Sequence, residues 1–165
     1  MSYYEWETAS SDFTVRIDKC VLNELAVHRQ SIQGNEPEAL GILIGQVWKQ
    51  AFWVKYVTKP NNIDKRSRFF CERSAESAEL NYQILEHLNS QSGNQLHYLG
   101  EWHTHPQNKP VPSIQDYSGW GLLPKNNYFN HNIRLFIILS TQNHKLDWLA
   151  VQIDGIFSEL VLKNG

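Results

Sequence analysis

The stretch Glu101-Trp-His-Thr-His-Pro106, followed by Ser113-Ile-Gln-Asp116, constrains this 165-residue chain more than any other. His97 to Trp102 reads as a strand, and strand side chains alternate between faces, so His103 and His105 share one face while Thr104 takes the other. Pro106 favours an extended conformation at His105. Ser113 and Asp116 stand at capping-box spacing, with Asp replacing the usual Glu or Gln, which predicts a short helix from Ser113 to Trp120. Strand, turn and capped helix therefore follow in order and carry two imidazoles and a carboxylate. Catalytic zinc commonly takes three protein donors and keeps a fourth position open, whereas structural zinc usually takes four.

The rest of the chain reads as a mixture of strands and a few helices. After an irregular, acidic start, Phe13 to Ile17 alternates as a strand, and Asp18 can cap a helix with apolar positions Val21, Leu22, Leu25 and Ala26 that ends near Gln33-Gly34. Gly41 to Gly45 and Phe52 to Val57 suggest a hairpin, and Arg68 to Glu72 a further short strand. Ser74 can cap a second helix whose Ala78, Tyr82, Leu85 and Leu88 share a face, with Gly93-Asn94 as its stop. Arg134 to Leu139, Leu146 to Gln152 and Ile156 to Leu162 are strands, the last two joined at Asp154-Gly155. Lys125 to Asn132 reads as the most flexible loop. The length suits one domain, 1–165, with a substantial core, of α/β or α+β sandwich type.

A formal net charge of −2 supplies no general basic field for a phosphate backbone, so no nucleic-acid partner is expected. The residues from Met1 to Glu7 lack a basic segment followed by an apolar run, and no stretch approaches the roughly 20 apolar residues of a membrane span. Cys20 and Cys71 form neither a CxxC pair nor a disulfide framework. These features point to a cytoplasmic protein with reduced thiols and no membrane partner.

A metal site that hydrolyses also needs a base, and Glu38, just ahead of the apolar Gly41–Gly45 run, is the upstream candidate. With it, the chain reads Glu-x-x-Gly-x-x-x-Gly and then His-x-His-x7-Ser-x-x-Asp, which resembles the JAMM or MPN+ (JAB domain) metalloprotease signature. A His-x-His pair alone is ordinarily a half-buried strand pair, and Ser113–Asp116 alone a helix cap; their joint spacing with Glu38 favours the metal site. The resemblance implies an α/β, JAB/MPN-type (cytidine-deaminase-like) sandwich with a mixed β-sheet flanked by helices. It also implies one catalytic Zn2+ held by His103, His105 and Asp116, Glu38 as general acid and base, and Ser113 as a stabiliser of the tetrahedral intermediate.

Glu101, two residues before His103 on the same strand face, reads as a carboxylate that supports a metal ligand or faces the substrate, with a solvated carboxylate as the alternative. Trp102 points oppositely, toward the core. Gly41 and Gly45 read as close-packing or bulge positions, the other histidines as ordinary ones, and Trp48, Phe52, Trp53 and Tyr56 as sheet packing. Arg66, Arg68 and Arg73 read as a solvated face, with an acidic partner as the alternative.

By the same resemblance, the substrate is a ubiquitin-like protein or its conjugate, cut at the carboxy-terminal tail. The Gly100–Pro106 and Arg68-Phe-Phe elements resemble the prokaryotic JAB proteins of integrative elements and CBASS antiphage operons, which implies deconjugation of a CD-NTase-type cyclase. The alternatives are a peptidase maturing a sulfur-carrier ubiquitin-like protein, and a non-catalytic MPN-type scaffold.

Overall fold

In the computed structural model, residues 2–163 are described, and they form ten strands and three helices. The single-domain expectation over 1–165 extends to Met1, Asn164 and Gly165, which lie outside the described residues. The strands are β1 (Tyr3–Thr8), β2 (Thr14–Asp18), β3 (Leu40–Trp48), β4 (Ala51–Val57), β5 (Lys65–Ser67), β6 (Phe70–Glu72), β7 (His97–Thr104), β8 (Ile133–Leu139), β9 (Trp148–Ile153) and β10 (Ile156–Leu162). The helices are α1 (Lys19–Ala26), α2 (Ala75–Ser92) and α3 (Ile114–Gly121). None of these helices is long and apolar enough to cross a membrane.

Eight strands join in the order β1-β10-β9-β8-β7-β3-β4-β2 and close on themselves. The pairings β2·β4 and β7·β8 are parallel and the others antiparallel, so the sheet is mixed, as expected. Closure makes it a barrel, a feature that a sandwich with an open sheet does not have. Closing the sheet leaves no unpaired edge in it. The first and last strands pair with each other, with Trp6 opposite Leu162, and this contact between the two ends of the chain completes the ring.

Inside the ring, Val15, Ile17, Leu43, Phe52, Val54, Trp102, Leu135 and Ile137 form one cluster, which α1 joins through Val21, Leu22 and Leu25. Outside it, α2 lays Leu85 and Leu88 on Ile42 and Ile44, while Trp120 of α3 packs on Phe136 and Ile138. Two helices thus cover the outer face of β3, β7 and β8, and the functional residues emerge between them. A bulge sets which residues of β7 face that way. Leu43 pairs with Gly100 but Ile44 with Tyr98, so Leu99 is the extra residue, and alternation restarts with Trp102 inside and Glu101 and His103 outside. Only glycine fits at position 100, because a Cβ there would lie 1.8 Å from the Leu135 carbonyl oxygen of β8.

Several expectations are corrected. The start is not irregular: Tyr3 to Thr8 forms β1, burying Trp6 and Thr8 on alternate positions. Helix α1 stops at Ala26 rather than near Gln33-Gly34, because the following residues turn away to deliver Gln30 to the interior. Asp18 precedes α1 without a side-chain cap, since its carboxylate accepts from Trp53 Nε1 at 2.6 Å and Lys55 Nζ at 3.2 Å. The Arg68–Glu72 strand is instead the hairpin β5–β6. On α2 the buried positions are Ser77, Asn81 and Leu85, and Tyr82 is 61% exposed. The Ser74 cap and the left-handed Gly93 stop are as expected. The Lys125–Asn132 loop carries a Tyr128·His131 bridge and is tied to β7 by Tyr128 Oη donating to the Tyr98 carbonyl at 2.6 Å.

Candidate functional site

His103 and His105 leave the outer face of β7 with Thr104 between them, turned inward. His105 lies just beyond the strand, yet its amide still reaches the Leu139 carbonyl of β8 at 3.3 Å. Asp116 occupies the first turn of α3. There the Asp116 amide donates to Ser113 Oγ at 3.1 Å, and the Ser113 amide to Asp116 Oδ2 at 2.7 Å. The capping box therefore holds the Asp116 carboxylate toward the histidines, so the cap and the donor are one residue.

The donors converge. The two imidazole Nε2 atoms are 3.0 Å apart, and each lies 3.2 Å from an Asp116 carboxylate oxygen. An ion bound tetrahedrally at about 2.0–2.2 Å needs donors spaced by about 3.3–3.6 Å, so these separations suit a metal of that size with little adjustment. Two ring nitrogens facing each other with a carboxylate beside them, all in a largely buried setting, are a donor set that a cation satisfies. Gln107 supports the arrangement: its Oε1 lies 3.3 Å from His105 Nδ1 and accepts from the Val111 amide, leaving Nε2 of His105 for the cluster.

Glu38 completes the group, with Oε1 3.8 Å from His105 Nε2 and only 4% exposure. Its main chain is held on both sides by the β5–β6 hairpin, through the Glu38 amide to the Ser67 carbonyl at 2.7 Å and Arg66 Nε to the Glu38 carbonyl at 2.6 Å. The Cys71 thiol of β6 lies against its carboxylate.

Electrostatics separates the two carboxylates. Burial raises Glu38 above the ordinary range, with the two histidines only partly offsetting it. Burial acts in the same sense on Asp116, but hydrogen bonds from both imidazoles and from the Ser113 amide overcome it and hold Asp116 well below the usual carboxylate range. Burial tends to lower His105, yet Asp116 and Glu38 lift it above the ordinary imidazole value. The two neighbouring carboxylates thus differ in proton affinity, Glu38 taking a proton more readily than Asp116.

The structure brings Glu38, His103, His105, Ser113 and Asp116 to one place, and Glu101 of β7 lines the same groove. Glu101 is 8% exposed; Arg73 reaches both of its oxygens, Nη1 donating to Oε2 at 2.7 Å, and Tyr98 Oη donates to Oε1 at 3.1 Å. This differs from a solvated carboxylate. The arginines differ in exposure, Arg66 being exposed and Arg68 and Arg73 half-buried, and each is hydrogen-bonded to the protein. Arg66 grips the Glu38 carbonyl, Arg68 the carbonyls of Ser31 and Ile32, and Arg73 the Glu101 carboxylate. Gly41 is a close-packing position, where a Cβ would meet the Thr58 carbonyl at 2.2 Å. Phe52 is core, and Trp53 lies between Trp48 and Lys55 on the sheet surface.

The cluster opens into a groove of about 920 Å³. Phe69, Phe70, Arg73, Trp120, Leu122 and Pro124 are among the residues that line it.

Comparison with known proteins agrees with this geometry. The family described as prokaryotic homologs of the JAB domain matches residues 21–148, which include every residue of the cluster. The chain is 34% identical over 110 residues to a protein of Vibrio cholerae serotype O1 named CD-NTase/cGAS isopeptidase, covering 67% of this chain and 68% of that one. It is 36% identical over 101 residues to a protein of the same name from Pseudomonas aeruginosa, covering 60% of this chain and 62% of the relative. A solution structure from Desulfitobacterium hafniense matches 90% of this chain and 88% of its own at a TM-score of 0.53 and 21% identity, a likeness of fold alone. From the extent of the family match and the identity to the Vibrio protein, the chain belongs to the prokaryotic homologs of the JAB domain.

Proposed function

We propose that this protein is a zinc-dependent isopeptidase that releases a ubiquitin-like protein, at its carboxy-terminal tail, from a conjugated CD-NTase-type cyclase in bacterial antiphage defence. The observation that carries the reaction class is the convergence of two imidazoles and an ionised carboxylate beside the buried Glu38. The substrate rests on the names of the Vibrio and Pseudomonas relatives, both called CD-NTase/cGAS isopeptidase. Two free cysteines fit a reducing cytoplasm.

His103, His105 and Asp116 would hold the zinc. When bound, zinc supplies Lewis acidity and lowers the pKa of water toward neutrality. Glu38 accepts the proton of the attacking water and passes it to the departing lysine amine, a return that its raised proton affinity favours. The Ser113 hydroxyl already accepts the Asp116 amide, so its own hydrogen is free to donate to the carbonyl oxygen as negative charge grows there. Loss of such a donor costs about 3–4 kcal/mol in the transition state. Hydrolysis proceeds without a covalent enzyme intermediate, and the apolar walls of the groove hold the extended tail.

The test is incubation of the zinc-loaded protein with a cyclase linked through a lysine isopeptide bond to a ubiquitin-like protein, with the products separated by mass. Release of both partners, abolished by a chelator and restored by zinc, is expected. An intact conjugate at high enzyme concentration would contradict the proposal and favour a binding scaffold.

A further inference from the structure

A chain of buried polar contacts links the segment that carries Glu38 to the strand that carries the histidines, and no part of the chemistry above uses it. Gln30 is 1% exposed and fully paired. Its Nε2 donates to the Glu36 carbonyl at 2.8 Å and the Arg68 carbonyl at 2.9 Å, while its Oε1 accepts from Thr104 Oγ1 at 2.9 Å. Thr104 is wholly buried, and its hydroxyl also accepts the Ala39 amide at 2.9 Å. The Thr104 amide donates to the Ala39 carbonyl at 3.0 Å, which doubles the last link.

The placement of these bonds is specific. Glu36 and Ala39 bracket Glu38, Arg68 lies in the turn of the hairpin that clamps it, and Thr104 stands between His103 and His105. Every donor hydrogen of the two side chains is used and each of their oxygens accepts one bond, so neither can rotate or slide without leaving a buried polar atom unpaired. A site that needed only packing here could use apolar residues at lower cost, because a buried polar network stabilises only when every member is satisfied.

We propose that Gln30 and Thr104 are positioning residues that set the distance between the Glu38 carboxylate and the His103–His105 pair. They act through the main chain on either side of Glu38 and touch neither substrate nor metal. The inference rests on the isopeptidase reading for its kinetic consequence but not for its structural one. A displacement of about 1 Å in a reacting group costs on the order of 100-fold in rate. Thr104→Val, which keeps shape and removes the hydroxyl, and Gln30→Met, which keeps length and removes the amide, should each lower kcat by about 10- to 100-fold with KM nearly unchanged.

The experiment measures three quantities in the full-length wild type, Thr104→Val, Thr104→Ser and Gln30→Met. These are zinc affinity, steady-state cleavage of the isopeptide conjugate, and amide hydrogen exchange at Glu38, whose own acceptor is the Ser67 carbonyl. Zinc affinity should stay at the wild-type level in all four, since none of the three metal donors is altered. Glu38 exchange should accelerate in Thr104→Val and Gln30→Met and return to the wild-type rate in Thr104→Ser, with kcat following the same order. Wild-type exchange at Glu38 in both Thr104→Val and Gln30→Met would overturn the proposal, whether or not the protein cleaves the conjugate. A wild type that fails to cleave, with exchange changed as described, would reject the isopeptidase reading and leave the positioning pair standing. If exchange changes but kcat holds, or Thr104→Ser fails to rescue, the residues are structural and the proposal fails.

Discussion

Replacing Arg73 by methionine should destabilise this protein more than most single substitutions. The guanidinium makes two hydrogen bonds to Glu101, which is 8% exposed and accepts one further bond, from Tyr98 Oη. Methionine keeps much of the apolar stem and removes the charge, leaving a buried carboxylate with a neutral phenol. Removing one partner of such a pair costs about 3–5 kcal/mol, because the remaining charge stays uncompensated. For a chain of this size that lowers Tm by about 6–20 °C, at about 2–4 °C per kcal/mol. Adding Glu101→Gln, which retains an acceptor for Tyr98, should recover most of the loss, giving a coupling of at least about 2 kcal/mol in the double-mutant cycle.

The pH dependence has a defined sign. Burial already raises Glu101 above 4.5, against the opposing effect of Arg73 and Tyr98, and loss of the cation raises it further. A carboxyl whose folded value exceeds its unfolded one removes stability as pH rises through the interval between them. The deficit of Arg73→Met should therefore shrink as pH falls toward 4.5, and shrink more than any change in the wild type. Thermal melts followed by circular dichroism across that range decide it. Additive single effects, or a deficit that is constant with pH, would refute the reasoning.

Glu38→Gln should keep zinc and the melting temperature while single-turnover cleavage of the isopeptide conjugate falls by at least about 100-fold, and undiminished cleavage would remove Glu38 from its role. Zinc affinity should rise with pH and then level off, because His105, held above its ordinary value of 6.5, must lose its proton to bind. Competition with a chromophoric chelator between about pH 6 and 8 measures this, and a flat profile would contradict it. Gly100→Ala should cost at least about 2 kcal/mol in chemical denaturation, because the new Cβ, 1.8 Å from the Leu135 carbonyl oxygen, forces β7 and β8 apart. Wild-type stability there would show that the bulge can relax.

What could be read from the sequence was local. Strand β7, the cap at Ser113 and the turn at Asp154-Gly155 depend on residues a few positions apart, and period-two alternation and capping chemistry describe them. The acidic residues among Tyr3–Thr8 obscured an alternation that buries Trp6 and Thr8, and closure of the ring depends on pairing with β10 at the far end of the chain. Distance in sequence hid the braces of the site. Gln30 reaches a partner 74 positions away, and Arg66 and Arg73 each reach one 28 positions away, so no spacing rule singles them out. In the sequence these arginines resemble solvated charges, and only folding brings Arg66 to the Glu38 carbonyl and Arg73 to the Glu101 carboxylate. Asp116 offered two readings, cap and ligand, and its carboxylate meets both geometries, Oδ2 accepting from the Ser113 amide while lying 3.2 Å from His105 Nε2, and Oδ1 lying 3.2 Å from His103 Nε2.

Anomalous X-ray scattering at the zinc edge, from crystals of the protein grown with zinc, tests whether His103, His105 and Asp116 hold the ion. One strong peak per chain is expected within bonding distance of His103 Nε2, His105 Nε2 and an Asp116 carboxylate oxygen, with the Glu38 carboxylate facing it. A peak bonded to other side chains, or none among those three donors at saturating zinc, would contradict it.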